Sequence, residues 1–225
     1  MKYQIKKYCA SILLMGVAIF FGSCSKEDPV VDEGVSQLRV INSVDGSANQ
    51  DFYQANNKLN TSPIIYGASS TTVSARAGLS VLEFRAAGSG TVTASENIAI
   101  APNRIFSVYL TKRTDGSLQI TGIENDQNAP EAGKSKVRFL NLAGLATAGV
   151  TVTDGSTALV TGLAVRGASS YYQVNPGANL SAVVVGSADV TVISGVEFVA
   201  GKNYTVWFDN VSTTKVKYFV TLDRG

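Results

Sequence analysis

The sequence repeats itself once, and this repeat constrains the fold more than any other feature. Residues 38–42 (LRVIN) are matched 99 residues later by residues 137–141 (VRFLN). Three further pairs follow in the same order, at spacings of 98 to 100 residues: 66–70 with 166–170, Gly78 with Gly177, and 98–110 with 196–208. Four matches in one order indicate an internal duplication, in which each copy spans about 90 residues.

Each copy consists of short runs in which apolar and polar residues alternate. In residues 79–85, Leu82 and Phe84 fall on one side of an extended chain, and Val81 and Glu83 fall on the other. Such alternation is typical of half-buried β-strands, and no stretch after the N-terminal region shows a sustained helical period. The pattern predicts two tandem antiparallel β-sandwiches of seven or eight strands each.

Two Asp-Gly pairs mark turns within this pattern. Residues 115–116 and residues 154–155 each lie inside a TDGS sequence between two strand-like runs. Asp-Gly favours two-residue hairpin turns, because glycine adopts positive φ without strain. Both pairs are therefore predicted to close β-hairpins.

The N-terminal residues carry the pattern of an export signal. Lys2, Lys6 and Lys7 precede an apolar run at residues 9–22. This run is shorter than the roughly 20 residues that a helix needs to cross a bilayer. Residues 1–23 are therefore predicted to be a signal peptide rather than a transmembrane anchor.

Cys24 follows the signal peptide in a lipoprotein-like context. Residues 21–24 (FGSC) resemble the lipobox of bacterial lipoproteins, in which the cysteine is acylated and begins the mature chain, although Phe21 replaces the usual leucine. Lipidation of Cys24 would anchor the protein to a membrane. The alternative is a conventional cleavage site beside an unmodified cysteine.

The residues after Cys24 bear on where the anchored protein would lie. Residues 25–29 (SKEDP) resemble the export signal of Bacteroidetes lipoproteins that reach the outer face of the outer membrane. This resemblance implies a lipid-anchored protein of the cell surface. The alternative is a solvated tether, which leaves open whether the protein faces the periplasm.

The mature chain lacks the residues on which many functions depend. Removing the three lysines of residues 1–23 from 19 basic residues leaves 16 against 17 acidic ones, a net charge of −1. No basic excess remains for nucleic-acid binding. The chain has no histidine, and Cys9 and Cys24 both precede the domains. We therefore predict no enzyme activity, no catalytic residue, no metal and no cofactor.

A polar segment separates the two copies. Residues 125–135, which include Pro130 and Gly133, have the composition of a linker. The predicted organisation is a signal peptide at 1–23, a flexible tether at 24–36, a first β-sandwich domain at 37–124, a linker at 125–135 and a second β-sandwich domain at 136–225.

Several repeated motifs are similar to the domain of unknown function 4397 family. They are the LRVIN opening, the step at residues 66–69 (YGAS), the turn at Ala77 and Gly78 with the run that follows it, and residues 200–206 (AGKNYTV). The family is common in secreted and surface lipoproteins of bacteria and has no established catalytic residues. The resemblance covers residues 37–222 as two tandem units and implies an all-β fold of two tandem immunoglobulin-like antiparallel β-sandwich domains.

The sequence departs from the family pattern in each copy. Residues 102–104 (PNR) stand in the first copy where a Gly-Lys pair is expected, and the second copy has Arg166 instead of a tyrosine before Gly167. These motifs carry no information about a ligand.

Aromatic residues offer the only candidate binding surface. In the matched strands, Tyr109 and Trp207 share one face, opposite the apolar residues expected in the core. An outward aromatic side chain can stack on a sugar or anchor a protein interface, and Tyr171 and Tyr172 would add to such a surface. The alternative is that Tyr109 and Trp207 pack against the facing sheet or the sister domain.

Three functions follow from these observations. The first is a non-catalytic surface protein that binds or adheres to an extracellular polysaccharide or protein. The second is a structural component of an outer-membrane or periplasmic complex. The third is an enzyme, which would need a carboxylate or metal site of which the sequence gives no sign.

Overall fold

The computed structural model describes residues 34–224, which form sixteen β-strands in four four-stranded sheets. The predicted all-β fold of two tandem β-sandwiches is confirmed. No helix within residues 34–224 is long and apolar enough to cross a membrane. The predicted signal peptide, the predicted lipidation site Cys24 and most of the predicted tether lie outside the described residues.

The first sandwich contains eight strands in two sheets, with the orders β4-β1-β7-β8 and β3-β2-β5-β6. The strands are β1 (Val35–Asn42), β2 (Gln50–Gln54), β3 (Asn57–Lys58), β4 (Val73–Arg76), β5 (Gly78–Ala86), β6 (Val92–Ile100), β7 (Ile105–Lys112) and β8 (Leu118–Glu124).

The second sandwich repeats this arrangement strand for strand, with the orders β12-β9-β15-β16 and β11-β10-β13-β14. The strands are β9 (Ser135–Asn141), β10 (Val150–Asp154), β11 (Thr157–Leu163), β12 (Tyr172–Val174), β13 (Leu180–Val184), β14 (Val190–Val192), β15 (Asn203–Asn210) and β16 (Val216–Arg224). Each strand number in the second sandwich is eight higher than its counterpart, so the sequence repeat is also a repeat of topology.

The sheets are not purely antiparallel, which corrects the sequence prediction. Strand β1 pairs in parallel with β7, and β9 pairs in parallel with β15. A parallel pair needs a long crossover connection. Here the whole second sheet of each sandwich lies between the two partners in sequence, and it supplies that connection.

Each sandwich has its own hydrophobic core between its two sheets. In the first, Phe52 and Phe84 meet edge to face with ring centroids 5.0 Å apart. In the second, Phe139 stacks on Phe208 with centroids 6.4 Å apart. Both predicted Asp-Gly hairpins are present, with Gly116 at φ 88° and Gly155 at φ 55°.

The ordered sheets begin slightly before the predicted domain boundaries. Strand β1 starts at Val35, and the buried Ser36 donates a hydrogen bond from its hydroxyl to the carbonyl of Ala101 at 2.5 Å. The last two residues of the predicted tether, 35 and 36, therefore belong to β1. Asn125, at the start of the predicted linker, is also buried.

The two sandwiches differ at one position of the last strand. Gly122 on β8 lies opposite Val108, whereas the matching position on β16 is Val220, opposite Val206. The exposed Gly122 lines an apolar surface pocket of about 180 Å³ at the edge of the first core. A Cβ added at Gly122 would meet no atom within 4 Å.

We expect Gly122→Val to stabilise the protein by about 1 kcal/mol, since valine fills empty apolar space and favours strand geometry. Chemical denaturation of the variant beside the wild type measures the change. Val220→Gly is the matched control, because it opens the same position in the second sandwich and should destabilise the protein. A destabilised Gly122→Val variant would show that the pocket cannot accept the side chain.

Candidate functional site

The two sandwiches pack against each other through the same positions of each copy. Ile41 and Tyr109 of the first sandwich meet Leu140 and Trp207 of the second in one buried cluster. The indole of Trp207 stacks on Phe219 with centroids 4.2 Å apart and meets the ring of Tyr109 edge to face at 6.5 Å. The duplication therefore buries, on each copy, an apolar sheet face that a single copy would expose.

The prediction that Tyr109 and Trp207 form an outward binding surface is wrong. Both side chains are completely buried, at 0% exposure. The alternative, packing against the sister domain, is what the structure shows. Burial raises the pKa of the Tyr109 hydroxyl well above its usual range. The Tyr109 hydroxyl and the Trp207 Nε1 group have no hydrogen-bond partner within residues 34–224.

A buried polar cluster lies beside these aromatic residues and crosses the same interface. Arg138 and Asp223 lie 3.6 Å apart, with side chains only 4% and 0% exposed. The Asp223 carboxylate accepts hydrogen bonds from Thr205 at 2.6 Å, from Tyr171 at 2.8 Å and, across the interface, from Ser107 at 3.2 Å. Burial raises the pKa of Asp223, and the charge of Arg138 limits that rise.

The Arg138 guanidinium is fully engaged within this cluster. It donates to the Glu124 carbonyl at 2.8 Å, to Asn125 at 2.8 Å and to Thr205 at 2.9 Å. Asn125 donates in turn to Ser107 at 3.0 Å. Side chains from both sandwiches and from the segment between them thus satisfy one another, which fixes the two domains in one orientation.

A second polar group closes the opposite end of the interface. Lys217 of the second sandwich donates to Asp45 of the first at 2.8 Å and lies 3.7 Å from Asp209. The Tyr66 hydroxyl, from the first sandwich, donates to the same Asp209 carboxylate. The hydrogen bond from Lys217 lowers the pKa of Asp45 below its usual range.

A cleft of about 580 Å³ opens next to this group, where loops of the two sandwiches meet. The first sandwich contributes residues 43–45 and the end of β7 with its hairpin. The second contributes the β9–β10 loop, Val165 with Arg166, and the end of β15. Ligand sites often lie at such boundaries between domains.

The repeated asparagines of the two opening motifs hold the loops that line this cleft. The buried Asn42 accepts a hydrogen bond from the Ser47 hydroxyl at 3.0 Å and donates to the Ile64 carbonyl at 3.3 Å. Asn141 accepts from the Ala143 amide at 3.0 Å and donates to the Leu163 carbonyl at 2.8 Å. The motif asparagines therefore hold the loops beside the cleft and do not line it themselves.

The sequence matches the domain of unknown function DUF4397 over residues 36–150, which is half of the chain. The chain belongs to the DUF4397 family. The match covers the first sandwich of this DUF4397 protein except Val35 and reaches the first residue of β10. It does not include the remainder of the second sandwich, where a further copy of the family stays a prediction.

Other comparisons add little to the family assignment. No curated protein matches the DUF4397 protein. A solved structure from Bacteroides fragilis NCTC 9343, provisionally described as a cell adhesion protein, is 13% identical and has a TM-score of 0.18, covering 93% of this chain and 91% of its own. A TM-score this low does not establish a common fold.

The predicted binding residues Tyr171 and Tyr172 are half-buried in the DUF4397 protein. Tyr171 bonds to Asp223, and the Arg138 guanidinium stacks 4.8 Å from its ring centroid. The ring of Tyr172 lies 6.1 Å from that of Phe139. Internal contacts account for both side chains, and a ligand-binding role for them stays a prediction.

The groups around the cleft are suited to binding. Both carboxylates of its lining, Asp45 and Asp209, contact Lys217. Exposed hydroxyls of Thr114 and Thr147 face the opening. Within residues 34–224, no group of three or more acidic, histidine or cysteine side chains is placed to hold a metal ion.

The cations Lys112, Arg113 and Arg166 also line the cleft, and no sequence motif predicts a binding role for any of them. In the sequence, Arg166 is distinguished only because the family pattern has a tyrosine at its position.

Proposed function

We propose that this DUF4397 protein is a non-catalytic, lipid-anchored protein of the cell surface that binds an extracellular polysaccharide or protein in the cleft between its sandwiches. The observation that carries the proposal is the cleft of about 580 Å³, whose walls come from both domains. Two buried contact regions hold these walls in one arrangement, so the site is formed before the ligand arrives.

The chemistry of the cleft supports binding over catalysis. A general base near neutral pH is usually a histidine or a carboxylate with a raised pKa. The chain has no histidine, and the pKa of Asp45 is lowered rather than raised. The hydroxyl and cationic side chains that remain are recognition groups.

The proposed anchor is Cys24, with at least two acyl chains needed for stable attachment. The polar residues that follow it support export to the outer face of the outer membrane, on their resemblance to surface lipoproteins. The cleft would then be presented to molecules outside the cell.

The test uses bacteria that carry the full-length protein, incubated on an array of polysaccharides and extracellular proteins. Gly144 lines the cleft, and a Cβ added there would meet no atom within 4 Å, so Gly144→Phe places a ring in the opening. We expect cells with Gly144→Phe to bind the array at least about tenfold more weakly than wild-type cells, because the ring removes contacts between the cleft and its ligand.

Two controls separate the parts of this proposal. Gly144→Ala adds only a methyl group and should bind like the wild type. Cys24→Ala should move the protein out of the membrane fraction and abolish binding by the cells. Unchanged binding by Gly144→Phe cells would exclude the cleft as the site, and retention of Cys24→Ala in the membrane fraction would exclude the lipid anchor.

A further inference from the structure

The backbone hydrogen bonds of the two copies reveal an equivalence that the sequence motifs hide. The Gly67 amide donates to the Asn42 carbonyl, and the Arg166 amide donates to the Asn141 carbonyl. Because Asn42 and Asn141 are equivalent, the structural partner of Gly67 is Arg166. The repeated Gly-Ala-Ser letters would instead align Gly67 with Gly167, one residue too far.

Glycine is required at this position in the first copy. Gly67 has φ 81°, in the left-handed region that disfavours other residues. A Cβ added to Gly67 would clash with the ring of Phe219 in the inter-sandwich cluster. Both the backbone conformation and the interface therefore exclude a side chain there.

The second copy keeps the same backbone conformation and yet carries a long side chain. Arg166 has φ 64°, which is rare for a bulky residue and strains the backbone. Its side chain is exposed and lines the cleft. A glycine would relieve this strain, so the arginine lowers the stability of the protein here, as residues of binding sites often do.

The first sandwich places a second cation on the facing wall. Lys112, the last residue of β7, is exposed and lines the same cleft. Within residues 34–224, neither Lys112 nor Arg166 lies within ion-pair distance of a carboxylate. The third cation of the cleft, Arg113, is paired with Glu96 at 2.5 Å.

We propose that the cleft binds an anionic polysaccharide, with Arg166 and Lys112 pairing with carboxylate or sulfate groups along its chain. This inference rests on the proposed function and names its ligand class. An arginine engages a carboxylate or sulfate through paired hydrogen bonds, and a lysine adds a point charge. Two unpaired cations, one from each sandwich, suit a polymer with repeated charges that spans the cleft.

The strands at the cleft favour a polysaccharide over an extended acidic peptide. Peptides of that kind commonly add a strand to a free sheet edge. The strand residues of the lining belong to β7 and β15, which are hydrogen-bonded to neighbouring strands on both sides. The exposed hydroxyls of Thr114 and Thr147 can instead bond to sugar hydroxyls.

The test measures binding of three polysaccharides to the full-length protein in detergent: polygalacturonate for carboxylates, heparin for sulfates and dextran as a neutral chain. We expect the double variant Lys112→Gln and Arg166→Gln to raise the Kd for the bound polyanion at least about tenfold. Added salt should weaken wild-type binding more than binding by this variant. Dextran should not bind.

The matched control is the double variant Arg104→Gln and Lys202→Gln. It also removes two positive charges. Arg104 and Lys202 directly precede the first residues of β7 and β15, whereas the cleft lies at the last residues of these strands. Its Kd should stay within about twofold of the wild type, since screened distant charges contribute little. If both double variants lose the same affinity for the polyanion, the loss reflects the overall charge of the protein, and the proposed site is overturned.

Arg166→Gly separates binding from folding. Because glycine fits the left-handed conformation, this variant should unfold at the same temperature as the wild type or higher, while its Kd for the polyanion rises. Retained affinity in Arg166→Gly would overturn the proposal.

Two other outcomes distinguish the ligand class from the proposed function. If the wild type binds only a neutral glycan and Gly144→Phe loses that binding, the ligand class is wrong and the proposed function stands. If Gly144→Phe changes no binding, both fail.

Discussion

Replacing Asp223 by alanine is expected to lower the free energy of unfolding by about 3–5 kcal/mol, because the change leaves a buried charge without its partner. Arg138 is 4% exposed and lies 3.6 Å from the Asp223 carboxylate. Hydroxyls of Thr205, Tyr171 and Ser107 lose their acceptor at the same time. Equilibrium denaturation in urea, followed by tryptophan fluorescence, measures the loss.

The double variant Arg138→Met and Asp223→Leu is the control for this prediction. It removes both charges together, so it should cost less than Asp223→Ala alone, as expected when apolar groups replace a buried ion pair. A double variant that is less stable than Asp223→Ala would show that the hydrogen bonds of Arg138, and not the unpaired charge, dominate.

The pH dependence gives an independent check on the same carboxyl. Burial raises the folded-state pKa of Asp223 above its value in the unfolded chain. The stability that this group contributes is therefore present at low pH and is lost as pH rises through the raised pKa. The stability of wild type relative to Asp223→Asn should therefore fall as the pH rises over the range above about 4, the usual pKa of an aspartate. A rise over that range would contradict the direction of the shift.

Local sequence patterns were enough to predict the two sandwiches. Alternation of Leu82 and Phe84 with Val81 and Glu83 gives a strand with one buried face, and that is how β5 lies in the sheet. Strand alternation has a period of two, so the buried face is readable from a single strand. The parallel pairing of β1 with β7 cannot be predicted in this way, because it depends on how two strands separated by residues 43–104 meet in the fold.

The interface between the sandwiches is marked in the sequence by large apolar residues on both faces of a strand, but this pattern was interpreted as an exposed binding surface. In β7, Val108 and Leu110 face the core while Tyr109, also apolar in most of its surface, faces the opposite way. A strand with large apolar groups on both faces is buried on both faces. With no histidine or cysteine to mark a site, exposed aromatic residues were the natural hypothesis, and the burial of Tyr109 and Trp207 decides against it.

Arg166 shows a different limit of sequence reasoning. The repeated letters align Gly67 with Gly167, but the hydrogen bonds to Asn42 and Asn141 shift the true correspondence by one residue. An arginine at a left-handed position can be recognised only once backbone angles are known. The cleft is likewise invisible in sequence, since its walls come from loops of both domains.

Truncation of Trp207 to alanine is expected to cost about 3–5 kcal/mol and to weaken the coupling between the sandwiches. The indole is completely buried, stacks on Phe219 at 4.2 Å and meets Tyr109 across the interface. Its removal opens a large cavity in the only apolar cluster described that joins the two domains. Differential scanning calorimetry should show a lower melting temperature, with one transition in wild type and two in the variant.

Trp207→Phe is the matched control, because it keeps an aromatic ring against Phe219 and should retain a single transition. A Trp207→Ala protein that melts like the wild type would contradict the role of this cluster in holding the domains together.

Trp207→Ala should also lose ligand binding, although Trp207 touches no solvent. The two cleft walls that carry Lys112 and Arg166 would no longer be held in a fixed relative position. Loss of binding in Trp207→Ala therefore identifies a ligand contact only if the domains still unfold as one unit.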